Sequence, residues 1–209
     1  MSVRRRTLVT PNSGAHRLLL GAGLVGAVLF PVVYLIDGAL RPGYDSLAEP
    51  ISDLALGAGG GIQIANFITY GVLTALSAVG WRASLVPGRA AIAYPVLKLI
   101  TGLALIANGI FHQGTGHNVA SYTSLIATVA GLFVLARRLH HEPGWRGWAS
   151  YAVISAILMM GFLATFGTLV PHHEGGVFEK LATATAMFFT VLLTARVLTH
   201  QSRITGIDR

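Results

Sequence analysis

The stretch "RPGYDSLAEPISDLALG", residues 41–57, gathers carboxylates beside a serine in an otherwise apolar chain. Asp53 follows Ser52 there, and such a carboxylate can act as a general acid, a general base or a metal ligand. The same pair can instead cap a short helix, because each side-chain oxygen can accept a hydrogen bond from a free backbone N–H. The residue types alone leave both interpretations open.

The same stretch carries the predicted substrate contacts, which are Arg41, Tyr44 and Glu49. An unpaired charge near a membrane is costly, so we expect Arg41 to form an ion pair with a carboxylate of its own loop. The candidate partners are Asp45, Glu49 and Asp53. Such a pair could bind a substrate, or it could simply pin the loop.

Histidines occur in two further segments, at His112 and His117 and again at His172 and His173 beside Glu174. They could be ordinary interfacial or solvated side chains, or they could bind a metal. The spacing of His112 and His117 differs from the i, i+4 pairing of helical zinc motifs, so a metal would need ligands from several segments.

Zinc prefers imidazole and carboxylate ligands where thiolates are absent, and the chain has no cysteine. Three such ligands leave a position for water, which the metal acidifies for attack on an ester or amide. The predicted zinc ligands are His112, His117, His172 and Asp53. The predicted catalytic residues are Asp53, His117 and Ser52, with His117 and Asp53 as neighbours. A metal-free triad would combine His117 and Asp53 with Ser52 or Ser121, and Ser121 is placed to hydrogen-bond His117 at i, i+4.

Several functional classes are disfavoured. The chain contains no HExxH, GxSxG or phosphate-binding loop. Haem ligation needs paired histidines inside helices, whereas these histidines lie near predicted helix ends. The net charge of +7 could indicate nucleic acid binding, but we predict no such partner because the cations sort by membrane side.

The elements that must position these residues are membrane spans. Only 11% of the residues are charged, against about 25% in a soluble domain. Segments of 18–22 apolar residues give helices of about 27–33 Å, which matches the hydrocarbon core. The sequence predicts an all-α bundle of six transmembrane helices, at about Leu18–Ile36, Ile62–Trp81, Ala90–Phe111, Val119–Ala136, Trp148–Val170 and Leu181–Leu198.

The cations predict the orientation of these spans. With the N-terminus inside, thirteen of the fifteen Lys and Arg residues fall on the inner side, and only Arg41 and Lys180 fall outside. Lys98 is expected to extend back toward the inner face. Residues 1–17 and 199–209 are predicted as cytoplasmic tails around a membrane domain of residues 18–198, in the cell membrane. The first apolar run is longer than the 7–15 residues of a signal peptide, so we expect it to be uncleaved.

The motifs resemble those of the membrane family called domain of unknown function 998. The residues that carry the resemblance are "RPGYDSLAEPISDLALG", "NFITYGVL" and "LIANGIFHQGTGHNVASY", and it covers about residues 18–198. Family members show a His-Gly-x-x-His element, in which Gln113 here replaces the first histidine. A more distant similarity, to the alkaline ceramidase and adiponectin-receptor superfamily, implies a zinc-dependent membrane hydrolase.

Two functions follow from the sequence. The first is a polytopic membrane protein with an outward-facing His/Asp/Glu pocket that hydrolyses a lipid or other apolar substrate, with zinc as the candidate cofactor. The alternative is a non-enzymatic protein: a binder of a small molecule or lipid, a permease-like subunit, or a partner in a larger complex. The lipid bilayer is the one partner common to both.

Overall fold

Six long helices form the fold, in the order in which the apolar segments occur along the chain. The computed structural model describes residues 13–85, 88–172 and 174–205. All six helices are long and apolar enough to cross a membrane, which confirms the predicted number of spans. They are α1 Gly14–Leu40, α2 Gly61–Ser84, α3 Arg89–Ile110, α4 Gly114–His140, α5 Arg146–Leu169 and α6 Gly176–Thr205. A short 3₁₀ helix, Ile51–Ala55, lies in the loop after α1, and another, Val170–His172, ends α5.

The helices form a closed ring. Each helix packs against the next one along the chain, and α6 completes the ring by packing against α1. Because the helices alternate in direction, the connections α1–α2, α3–α4 and α5–α6 share one end of the bundle, called here the loop end. Both termini and the other two connections share the opposite end, called here the terminal end.

All six helices begin before the predicted apolar segments, and four of them also end beyond those segments. At the start of α1, the Ser13 side chain accepts a hydrogen bond from the His16 N–H at 3.2 Å and so caps the helix. The helix therefore starts inside the predicted N-terminal tail. At the other end of the chain, α6 continues to Thr205. Apolar composition therefore identifies the segment of a helix that lies in the membrane, whereas capping hydrogen bonds determine where the helix begins and ends.

Glycines let α2 and α3 approach closely. A Cβ placed on Gly71 would lie 2.6 Å from the Gly102 carbonyl oxygen, and one placed on Gly102 would lie 2.7 Å from the Gly71 carbonyl oxygen. Only residues without side chains fit at this point. The contact fixes the relative depth of the two helices, and with it the positions of the α3 side chains that face the interior of the ring.

Two clusters of buried side chains lie at different depths in the ring. The cluster toward the terminal end includes Leu20, Trp81, Leu135 and Val197. The cluster toward the loop end includes Phe30 and residues of the first 3₁₀ helix. Apolar side chains elsewhere, such as Leu103, Ile126 and Phe188, are exposed on the outside of the ring, as expected for a surface solvated by lipid.

Candidate functional site

A cavity of about 120 Å³ lies inside the ring. Residues from all six helices and from the first 3₁₀ helix line it, so it is a property of the whole bundle. This space is large enough for several waters or a small ligand. Its walls combine aromatic and aliphatic side chains with a minority of polar groups, which is the usual composition of a binding pocket.

The polar groups reach the cavity because three helices carry them at helical spacing. On each helix the lining positions recur at i, i+4, i+7 and i+11, which is one face of an α-helix. The lining residues on α3 are Tyr94, Lys98, Thr101, Leu105 and Asn108; those on α4 include His117, Ser121, Ser124 and Thr128; and those on α6 include Glu179, Thr183, Ala186 and Thr190.

A chain of hydrogen bonds at the loop end joins α3 to α4. The His117 Nδ1 lies 3.0 Å from the Phe111 carbonyl oxygen, so it carries the proton and donates. The Nε2 then faces the Ser121 Oγ at 3.3 Å, which confirms the predicted i, i+4 contact. Ser121 in turn lies 3.1 Å from the Asn108 Oδ1. The chain fixes the tautomer and the orientation of the imidazole.

Lys98 is the most unusual side chain in the cavity. It lies nine residues from the start of α3 and twelve from its end, which places it about 13 Å and about 18 Å from the two ends of the helix. Its Cε lies 3.8 Å from the position that a Cβ on Gly23 of α1 would take, so the side chain crosses the ring. It lines the cavity, and the expectation that it extends back toward the inner face is wrong.

The loop end is closed by the first outer loop, which is bound to the start of α6. The Glu179 Oε2 accepts a hydrogen bond from the Ile51 N–H at 2.7 Å. The Gly176 and Val177 N–H groups donate to carbonyl oxygens of residues 47 and 48, and the Lys180 Nζ donates to the Glu49 carbonyl at 2.7 Å. Glu179 therefore caps the 3₁₀ helix, a role that the sequence suggested for Ser52 and Asp53.

The predicted substrate contacts lie in this loop and outside the cavity lining. The Arg41 guanidinium pairs with Asp37 at 2.9 Å, a carboxylate outside the predicted set of Asp45, Glu49 and Asp53. The helical turn between Asp37 and Arg41 brings these two charges together at i, i+4. Arg41 also donates to four carbonyl oxygens, those of Leu54, Leu56, Ala58 and Gly59.

Tyr44 has a similar structural role in the same loop. Its hydroxyl donates to the carbonyl oxygens of Glu49 and Pro50, at 3.2 Å and 3.0 Å. The Lys180 Nζ lies 5.3 Å from the centre of its ring. Burial, together with the nearby charges of Glu179 and Asp53, raises the pKa of Tyr44 well above its usual range. The phenol is therefore a neutral hydrogen-bond donor that holds the loop.

Two of the residues predicted for chemistry, Ser52 and His117, line the cavity. Asp53 lies half-buried beside Glu179 and Lys180, and its pairing with His117 stays a prediction. His112 is half-buried, and its Nδ1 has no hydrogen bond among the described residues. His172 is exposed at the end of α5. His173 lies outside the described residues.

The predicted zinc ligands do not form a metal site in the described part of the chain. No group of three or more His, Asp or Glu side chains there is close enough to hold one ion. The set His112, His117, His172 and Asp53 therefore does not fit zinc in this arrangement. His117 has hydrogen-bond partners at both ring nitrogens, and His172 is exposed.

The sequence interpretation missed Lys98 and Glu179 as cavity residues. The available signal was the helical spacing of hydroxyl-bearing residues around each of them, such as Thr101 after Lys98 and Thr183 after Glu179. This spacing gives each helix a polar stripe inside otherwise apolar spans. The predicted site residues lie mainly in the loops and at the helix ends, whereas the stripes lie within the helices.

Comparison with known proteins agrees with the resemblance of the motifs. The family described as "Protein of unknown function (DUF998)" matches residues 24–196. No curated protein and no solved structure matches the chain. The family match spans most of α1 through α6, including every helix that lines the cavity. This chain therefore belongs to the DUF998 family of proteins of unknown function.

Proposed function

We propose that this membrane protein binds a small molecule with an apolar body and a polar group in the cavity of its helix ring. The observation that carries the proposal is the convergence of the polar stripes of α3, α4 and α6 on one interior space. Polar side chains inside spans are costly and mark functional paths or sites. Had these faces served packing alone, apolar side chains would fill the space.

Access is proposed from the loop end, on the outer side of the cell membrane. Trp81, Leu135 and neighbouring buried side chains fill the ring toward the terminal end. At the loop end, Ser52, His117 and Glu179 line the cavity beneath the first outer loop. By sequence position, twelve of the fifteen cations fall in the terminal tails, in the α2–α3 and α4–α5 connections or in the helix turns beside them, so we infer that both termini are cytoplasmic.

Reporter fusions test this orientation. A reporter at the C-terminus should be cytoplasmic, because the basic residues stay on that side, and one inserted after Gly114 should be external. At each site, two reporters are fused in separate proteins, one active only in the cytoplasm and one active only outside, and the activity of both is measured. The same side for both insertions would refute the proposed orientation.

Filling the cavity tests binding itself. Thr128 lines the cavity, and Thr123 lies on the exposed side of the same helix. Each hydroxyl donates at 2.7 Å to the carbonyl four residues earlier, so the two positions form a matched pair. We expect Thr128→Phe to reduce binding at least about tenfold, since overpacking by a ring costs more than 1 kcal/mol. Thr123→Phe should leave binding unchanged.

The measurement is native mass spectrometry of protein in nanodiscs of zwitterionic lipid, incubated with benzoate, benzamide and benzylamine. Wild type and Thr123→Phe should retain at least one of these probes at a ratio of one per chain. Equal retention by Thr128→Phe would refute the cavity as the binding site. Melting temperatures of both variants verify that they are folded.

Hydrolysis is the second candidate function, and the His117–Ser121 contact favours it. The Ser121 hydroxyl donates to the Asn108 Oδ1 in the structure, and rotation of its proton toward the unprotonated Nε2 would give the arrangement of an activated serine nucleophile. The proposed substrate class is an ester with an apolar acyl or alcohol group. Release of phenol from phenyl acetate, abolished by both Ser121→Ala and His117→Gln, would support catalysis. Bound but intact phenyl acetate would support binding alone.

A further inference from the structure

Lys98 carries a charge that nothing in the described part of the chain neutralises. Its Nζ forms no hydrogen bond and no ion pair with any of the described residues. Asp37, the buried carboxylate in the last turn of α1, is already paired with Arg41. Glu179, the carboxylate that lines the same cavity, lies three residues from the start of α6, which separates it from Lys98 by about 13 Å of depth.

Among the described residues, the surroundings of Lys98 supply a second donor but no carboxylate that pairs with it. Tyr94, one turn earlier on α3, lines the same cavity, and its hydroxyl has no hydrogen bond among the residues described. The hydroxyls of Thr101 and Thr128 donate to backbone carbonyls at 3.1 Å and 2.7 Å, and neither oxygen accepts a hydrogen bond from Lys98. An ammonium and a free phenol therefore face a space walled by Phe30, Phe67 and Phe189.

We propose that Lys98 and Tyr94 bind the oxyanion of a small organic anion, whose apolar body packs against the aromatic walls of the cavity. This inference rests on the proposed binding function and names the class of ligand. An oxyanion accepts hydrogen bonds from the ammonium and from the phenol hydroxyl at once, and such charge-assisted bonds are strong where water is scarce. A neutral ligand would leave the charge uncompensated.

Lys98→Met is the central variant, because methionine keeps the length and apolar stem of lysine. Lys180→Met is its control, since Lys180 is the cation of the outer loop rather than of the cavity. In the zwitterionic nanodiscs, we expect wild type to bind benzoate at least tenfold more tightly than benzamide. Lys98→Met should bind benzoate at least about 30-fold more weakly than wild type and lose the preference over benzamide, because removing one member of a buried charge pair has effects of this size. Lys180→Met should keep it.

A second readout does not depend on the affinity of any one probe. Without ligand, removing an unpaired charge from the interior should raise the melting temperature of Lys98→Met above that of wild type. Benzoate should then raise the melting temperature of wild type and leave that of Lys98→Met unchanged. Lys98→Arg, which retains the charge, should restore part of the benzoate response.

The outcomes separate the two proposals. Binding of benzoate and benzamide with equal affinity in wild type would overturn the anion inference and leave the cavity as a general binding site. Loss of all probes in Thr128→Phe, with preserved preference in Lys98→Met, would also overturn it. Inorganic phosphate that displaces benzoate at the concentration at which unlabelled benzoate does would overturn the requirement for an apolar body on the anion. Competition by phosphatidic acid added to the nanodisc would identify a lipid as the source of the oxyanion.

Discussion

Arg41→Met is expected to destabilise the folded protein by about 3–5 kcal/mol, the cost of removing one partner from a buried ion pair. The Arg41 and Asp37 side chains are only 15% and 7% exposed, so the carboxylate left behind cannot be hydrated. Four carbonyl oxygens of residues 54–59 lose their donor at the same time. The first outer loop should detach from the bundle as a result.

The measurement is the free energy of unfolding in a denaturing-detergent titration, together with hydrogen exchange of residues 47–59. Arg82→Met is the matched control, since Arg82 is exposed at the end of α2 and its loss should cost less than about 0.5 kcal/mol. Adding Asp37→Asn to Arg41→Met should recover part of the loss. Equal stability of the two arginine variants would refute this account of the loop.

Gly102→Ala should destabilise the protein, although alanine favours a helix over glycine by about 1 kcal/mol. The added Cβ would lie 2.7 Å from the Gly71 carbonyl oxygen and 2.8 Å from the Ala75 nitrogen. These are backbone atoms and cannot rotate away, so α2 and α3 must separate. Overpacking costs about 1–3 kcal/mol, and a backbone obstruction belongs at the upper end of that range.

Gly161→Ala is the control for Gly102→Ala, because its expected change in stability has the opposite sign. Nothing lies within 4 Å of a Cβ at this exposed position of α5, so only helix propensity should act and stability should rise. Thermal melting of the two single variants in the same detergent measures both effects. A stabilised Gly102→Ala protein would show that the two helices are not packed as closely as the structure has them.

The six spans could be predicted from the sequence because lipid leaves few alternatives. Every backbone group must be paired inside a span, so a long apolar segment implies a helix. The start of α1 could not be predicted from hydropathy, since the Ser13 cap depends on local hydrogen bonding. The closure of the ring by α6 against α1 depends on tertiary packing, for which the residue pattern carries no direct signal.

The site was only partly predictable. His117 and Ser121 are one turn apart on one helix, so their contact follows from helix geometry. Asp37 and Arg41 have the same spacing, but both lie beyond the predicted end of the first span at Ile36, so hydropathy does not place them on one helix. Lys98 was assigned to the inner interface because a helix pattern shows which residues share a face but not which neighbour that face meets. The contact of Glu179 with Ile51 joins positions 128 residues apart.

The contribution of α6 to the cavity also constrains biosynthesis. Membrane helices are made in chain order, so the first five are synthesised while one wall of the cavity is still missing. Until α6 arrives, Lys98 and the hydroxyls of α3 and α4 face lipid or water through the open side of the ring. The start of α6 then also supplies the groups that bind the first outer loop. A nascent chain that stops before Gly176 therefore presents polar side chains within the bilayer. In the complete protein, α6 covers these side chains.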